Sequence, residues 1–105
     1  MASTIMHRNG AMEDYEPSKI PALLAELDEP RDDEHPDVAV SHPSGWTLSV
    51  GQTGLVTWEN VEPDAETGPQ HRHDIARAQL PEIMNLVATG QLDEIDNLGW
   101  HPGYG

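Results

Sequence analysis

Residues 45–62, GWTLSVGQTGLVTWENVE, constrain the fold more than any other stretch of this chain. Trp46, Leu48 and Val50 alternate with Thr47 and Ser49, the period-two pattern of a strand with one buried face. GQTG closes a short hairpin loop, and LVTWEN returns with Val56 and Trp58 on one face and Leu55, Thr57 and Glu59 on the other. The chain has three tryptophans and no phenylalanine, so a close-packed core must draw on these rings. Trp46 and Trp58 stand near the open end of the hairpin. They are expected to pack on each other as core anchors, not to grip a partner.

Upstream, DVAVSH puts Val38, Val40 and His42 on one face, and a PSG turn joins it to the Trp46 strand. Helical patterns flank this meander. In YEPSKIPALLAELDEP, Ser18 suits an N-cap and Pro21 a first turn; Ile20, Leu23, Leu24 and Leu27 form one stripe before Pro30 stops it. Downstream, Asp74 suits an N-cap, and Pro81 divides IARAQLPEIMNLVATG into a turn ending near Gln79 and a fresh helix. Ile83, Leu86 and Val87 supply that helix's stripe, Gly90 ends it, and QLDEIDNLGW adds a last turn with Leu92 and Ile95 inward. The expected fold is α+β: a three-stranded antiparallel meander with an N-terminal helix and C-terminal helices packed on one face. Residues 1–14, small, polar and non-periodic, are expected to be disordered, and 61–73 to be a polar loop. Residues 15–105 then form a single domain, as 105 residues allow.

Charge limits function. Five Lys and Arg stand against nineteen Asp and Glu, a formal net charge of −14. Such a chain repels nucleic acid and anionic membranes and attracts basic surfaces. Direct nucleic-acid binding is not expected, because Arg8, Lys19, Arg31, Arg72 and Arg77 form no basic patch in the sequence. With no cysteine, thiolate nucleophiles, disulfides and cysteine-based metal sites are excluded, which fits a reducing cytoplasm. No apolar run approaches the roughly 18 residues of a membrane span, and no signal peptide is recognisable at the start.

Catalytic and cofactor motifs are sparse. His71, His73 and Asp74 in HRHD are suitable metal-ligand types but lack a third ligand at a recognised spacing. They read as a solvated loop, or as residues that position the following helix, and no metal or cofactor is expected. GQTG is followed by neither a helix nor a lysine, so it is a hairpin loop and no phosphate cradle. The chain reads as non-enzymatic.

What remains is surface. Residues 26–37 hold seven acids, Glu26, Asp28, Glu29, Asp32, Asp33, Glu34 and Asp37, against Arg31. A sparser group, Asp93, Glu94 and Asp96, precedes Trp100, His101 and Tyr104, and Glu59 ends a strand beside Trp58. Asp28, Glu29, Asp32, Asp33, Glu34, Glu59, Asp93, Glu94, Asp96, Trp100, His101 and Tyr104 are the candidate partner-binding residues. Charge complementarity would speed association and aromatic anchors would supply binding energy. For Trp100, a second role is equally open, folding back to close the core.

The S-G-W-x-L strand (Ser44, Gly45, Trp46, Leu48), the W-E-N strand end (Trp58, Glu59, Asn60), the helix HRHDIARAQLPEIMNLVATG and the closing W-x-P-G-Y (Trp100, Pro102, Gly103, Tyr104) carry a resemblance. Across roughly residues 18–104, they resemble small actinobacterial immunity proteins of polymorphic toxin systems, the first-numbered immunity family, often paired with deaminase-type toxins. The resemblance implies a cytoplasmic protein that neutralises a cognate toxin by occluding its active cleft, with no catalytic residues. That cleft would be basic if the toxin handles nucleic acid or a nucleotide. The alternative is an acidic nucleic-acid mimic, of the phage anti-defence type, which inhibits a DNA-binding complex. The prolines within 26–37 fit a rigid duplex mimic poorly.

Overall fold

A computed structural model describes residues 3–30, 37–62 and 68–103. The meander expected from the sequence is present as β3 (Asp37–Ser41), β4 (Trp46–Gly51) and β5 (Val56–Asn60). The register pairs Val40 with Leu48 and Leu48 with Trp58, so the alternating apolar side chains meet in one row. The turn between β3 and β4 is tight: Gly45 has φ +97°, and a Cβ there would lie 2.4 Å from Glu62 Cγ. Glycine is needed at that position for both reasons.

The sheet is larger than three strands. A hairpin of β1 (Thr4–Met6) and β2 (Met12–Asp14) adds to β3, while β6 (Gln70–Arg72) adds to β5 and β7 (His101–Pro102) to β6. The order is β2-β1-β3-β4-β5-β6-β7, and every pairing is antiparallel. Two expectations are therefore corrected. Residues 4–6 and 12–14 are paired strands, not a disordered segment, and 70–72 are strand, not loop. These strands are two or three residues long and owe their conformation to ladder hydrogen bonds from a neighbour, which leaves no apolar alternation to read.

The helices follow the prolines. α1 (Ile20–Ala25) lies between 3₁₀ turns at Pro17–Lys19 and Glu26–Asp28, with Pro21 in its first turn. Ser18 is inside the first of those turns and caps nothing. A 3₁₀ turn at Arg77–Gln79 leads into α2 (Leu80–Ala88), which restarts around Pro81 as expected, and α3 (Leu92–Asp96) follows. Asp74 caps neither; its carboxylate accepts from Arg72 Nε at 2.8 Å.

One core results. Ile5, Val38, Val40, Leu48, Val50, Val56 and Trp58 from the sheet pack against Ile20, Leu23 and Leu24, against Leu80, Ile83, Met84 and Val87, and against Ile95. All three helices thus cover the same sheet face. The opposite face carries Thr4, Met6, Ala39, Ser41, Thr47, Ser49, Thr57, Glu59 and His71, side chains that alternate out of that core.

Candidate functional site

The tryptophans explain the tail. Trp58 is fully buried, and Trp46 stacks on it with ring centroids 4.8 Å apart and planes 18° apart. Trp100 lies on Trp58 as well, at 6.4 Å and 19°, and its indole N–H donates to the Ile95 carbonyl at 2.7 Å. Of the two roles open to Trp100, closing the core is the one its contacts serve. Asp96 is drawn in with it, because its carboxylate accepts the Trp58 indole N–H at 2.8 Å. A buried indole donor requires such a partner.

The other candidates separate into two groups. Asp93 and Glu94 are exposed in the first turn of α3, and His101 is exposed on β7. On the other side of the core, Asp28 receives the Arg77 guanidinium at 3.1 Å, and Glu29 lies 3.6 Å from Arg8. Glu59 pairs with Thr47 on the helix-free sheet face, outside both groups. Asp32, Asp33, Glu34 and Tyr104 lie outside the described residues.

His71 has His73 and His101 on either side, with ring centroids at 5.6 and 5.8 Å, and its Nδ1 is 3.0 Å from the Gly103 carbonyl. Among the described residues, no three His, Asp or Glu side chains are grouped so as to hold a metal ion.

A charged cluster escaped sequence reasoning. His7 sits between two carboxylates, with Nδ1 2.5 Å from Glu26 and Nε2 2.6 Å from Glu13. Lys19 reaches Glu13 at 2.5 Å, and the Arg8 backbone N–H donates to Glu26 at 3.0 Å. An imidazole facing two carboxylate acceptors satisfies both only when each nitrogen carries a proton. Hydrogen bonds to Glu26 first, and to Glu13 next, accordingly hold the His7 pKa above its ordinary value of 6.5. With both nitrogens occupied, His7 has no free lone pair or proton to offer a substrate, so the cluster is a clamp between the N-terminal hairpin and the Glu26–Asp28 turn. The signal that could have found it is Asn9-Gly10, a hairpin dipeptide between TIMH and AMED.

The clamp makes stability depend on pH with a definite sign. A raised His7 pKa contributes stability that is fully present below 6.5 and is lost as pH rises through the higher folded-state value. Amide exchange at Ile5 and Met6, corrected for intrinsic base catalysis, should therefore show the hairpin opening more readily at about pH 9 than at about pH 6. The difference should vanish in His7→Gln. Equal protection across that range in the unsubstituted protein would refute the clamp.

All four described cations are used internally: Arg8 with Glu29, Lys19 with Glu13, Arg72 with Asp74 and Arg77 with Asp28. No described helix is long and apolar enough to cross a membrane. No family model, curated protein or solved structure matches the chain.

Proposed function

We propose that this chain is a non-enzymatic, cytoplasmic inhibitor that binds a basic protein surface, in the manner of an immunity protein occluding the active cleft of a cognate toxin. The observation that carries the reading is the disposition of charge. Every described Lys and Arg is held by a carboxylate of its own chain, so those cations serve as internal ties. Among the described acids, Asp93 and Glu94 are exposed, and the chain as a whole carries a net charge of −14. A field of that sign selects a basic partner and repels nucleic acid, and a toxin cleft that handles nucleic acid or a nucleotide has the complementary charge.

The test is to inspect the reading frames adjoining this gene and to co-express the chain with any toxin domain that one of them encodes. The expected result is restored growth and a one-to-one complex whose association slows as salt is raised. Charge reversal at Asp32, Asp33 and Glu34 together should slow association about tenfold at low salt and flatten the salt dependence. Toxin that remains active in the presence of excess folded chain would overturn the reading. Unchanged association of the triple variant would remove residues 32–34 from the interface.

A further inference from the structure

The chain holds four asparagines, and Asn9 alone is followed by glycine; Val61, Leu86 and Leu98 follow Asn60, Asn85 and Asn97. Those larger side chains crowd the backbone nitrogen beside each of the other three amides. Asn9 and Gly10 form the exposed tip of the β1–β2 hairpin, and a Cβ at Gly10 would meet nothing within 4 Å. An asparagine amide and an unhindered backbone nitrogen next to it can react without a catalyst. The Gly10 nitrogen, its proton lost to hydroxide, attacks Asn9 Cγ, and a C–N bond forms as the Cγ–Nδ2 bond breaks and ammonia leaves. Water then opens the resulting succinimide at either carbonyl, which gives aspartate or, with the backbone rerouted through Cγ, isoaspartate.

The folded hairpin opposes the first step. The Gly10 N–H donates to the His7 carbonyl at 2.9 Å, and Asn9 Oδ1 accepts from the Ala11 N–H at 2.9 Å, so the proton and the amide are both engaged. Ring closure swings the Gly10 nitrogen onto Cγ and breaks the bond to His7. His7 cannot follow that movement, because Glu26 and Glu13 hold its imidazole. Arg8 is tied as well: its backbone N–H donates to Glu26 Oε1 at 3.0 Å and its guanidinium to the Glu26 carbonyl at 3.1 Å. Both residues before Asn9 are thereby pinned to the Glu26–Asp28 turn, and the tip rearranges when this clamp opens.

We infer that Asn9–Gly10 is a site of spontaneous deamidation, that the His7 clamp holds the reaction back, and that its product loosens the hairpin. The inference does not depend on what the chain binds. Asn9 lines a concavity of about 690 Å³ together with His7, Arg8, Glu13, Glu26 and Glu29. Deamidation adds a carboxylate to that group of three acids, where like charges oppose one another. Isoaspartate also lengthens the backbone between residues 9 and 10, and the turn bonds of Gly10 and Ala11 cannot both be kept. The step is one-way, since the ammonia is lost, and each converted molecule carries a weaker tie between β1–β2 and the Glu26–Asp28 turn.

The experiment incubates the whole chain at neutral pH, folded and in urea, and follows each asparagine by peptide mapping that separates aspartate from isoaspartate. In the folded chain Asn9 is expected to convert while Asn60, Asn85 and Asn97 stay intact, and to convert more slowly than in urea. His7→Gln should raise the folded-state rate at Asn9 about tenfold, because opening the tip then breaks fewer charge-assisted bonds. Glu13→Ala, which removes one arm of the clamp, should raise it in the same direction and decides the matter if His7→Gln does not fold. Asn9→Asp, which installs one of the two products, should speed amide exchange at Ile5 and Met6. An equal rate in folded and unfolded chain, or in parent and clamp variants, would overturn the gating. An intact Asn9 in parent and clamp variants, over a period that converts it in urea, would overturn the site. Unchanged exchange in Asn9→Asp and in the purified isoaspartate form would overturn the loosening.

Discussion

Trp58→Ala is expected to destabilise the protein by about 3–5 kcal/mol, the largest single-residue effect in the chain. The side chain is fully buried, and the surroundings cannot collapse into the space it would leave. Trp46 stacks on one part of the ring and Trp100 on another, while Leu48 faces it across the β4–β5 ladder. Each of these neighbours loses a contact surface when the indole goes. Asp96 additionally loses the N–H that its carboxylate accepts. For a domain of about 100 residues, total stability is on the order of 5–15 kcal/mol, so this one truncation removes much of it.

Urea unfolding followed by far-ultraviolet circular dichroism would measure the loss independently of tryptophan fluorescence. Trp46→Ala should cost clearly less, because that ring is only half-buried and chiefly forfeits its stack on Trp58. An aromatic pair of this kind contributes about 0.5–1.5 kcal/mol beyond its burial. A Trp58→Ala protein within about 1 kcal/mol of the parent would show that the tryptophan cluster does not anchor the core.

The hairpin around Trp58 was legible because its pattern is long enough to repeat. Trp46, Leu48, Val50, Val56 and Trp58 alternate across two strands, and all but half-buried Trp46 are buried, as period two requires. Pro81 was equally clear, since a ring without an N–H can begin a helix but cannot sit inside one. What was not legible is the sheet's periphery. Gln70–Arg72 and His101–Pro102 contain no apolar residue aimed at the core, so nothing local distinguishes them from loop. The strand conformation of β6 is settled by the edge that β5 offers, and that of β7 by the edge of β6. Site residues failed for a related reason. Asp28, Asp96 and Trp100 look like free surface groups in sequence, and only the fold brings Arg77, Trp58 and Ile95 to them. Composition reported how much acid the chain carries; which carboxylates are committed internally depends on contacts 38 and 49 residues apart.

Ile5→Ala is expected to cost about 2–5 kcal/mol, although the residue lies in a segment with no amphipathic period. Ile5 is fully buried and pairs with Val40, whose other neighbour is Leu48, so one apolar row runs Ile5, Val40, Leu48, Trp58 across four strands. The hairpin that carries it is tied down at both ends. Ser3 donates to the Ala88 carbonyl at 2.7 Å, closing the chain start onto α2, and the His7 clamp fixes the turn end. Asn9 and Gly10 make that turn, with Gly10 at φ +86° and the Asn9 side chain accepting from Ala11 N–H at 2.9 Å. Removing residues 1–14 would therefore do more than shorten a tail. It would expose Val40 and the edge of β3, and it would leave Glu26 without its imidazole. The truncated chain is expected to lose cooperative unfolding, whereas Met12→Ser, at an exposed position on β2, should leave the transition unmoved. Calorimetry of the three proteins separates the possibilities. If the truncated chain and Ile5→Ala melt where the parent does, the first fourteen residues are an appendage, and the core ends at β3.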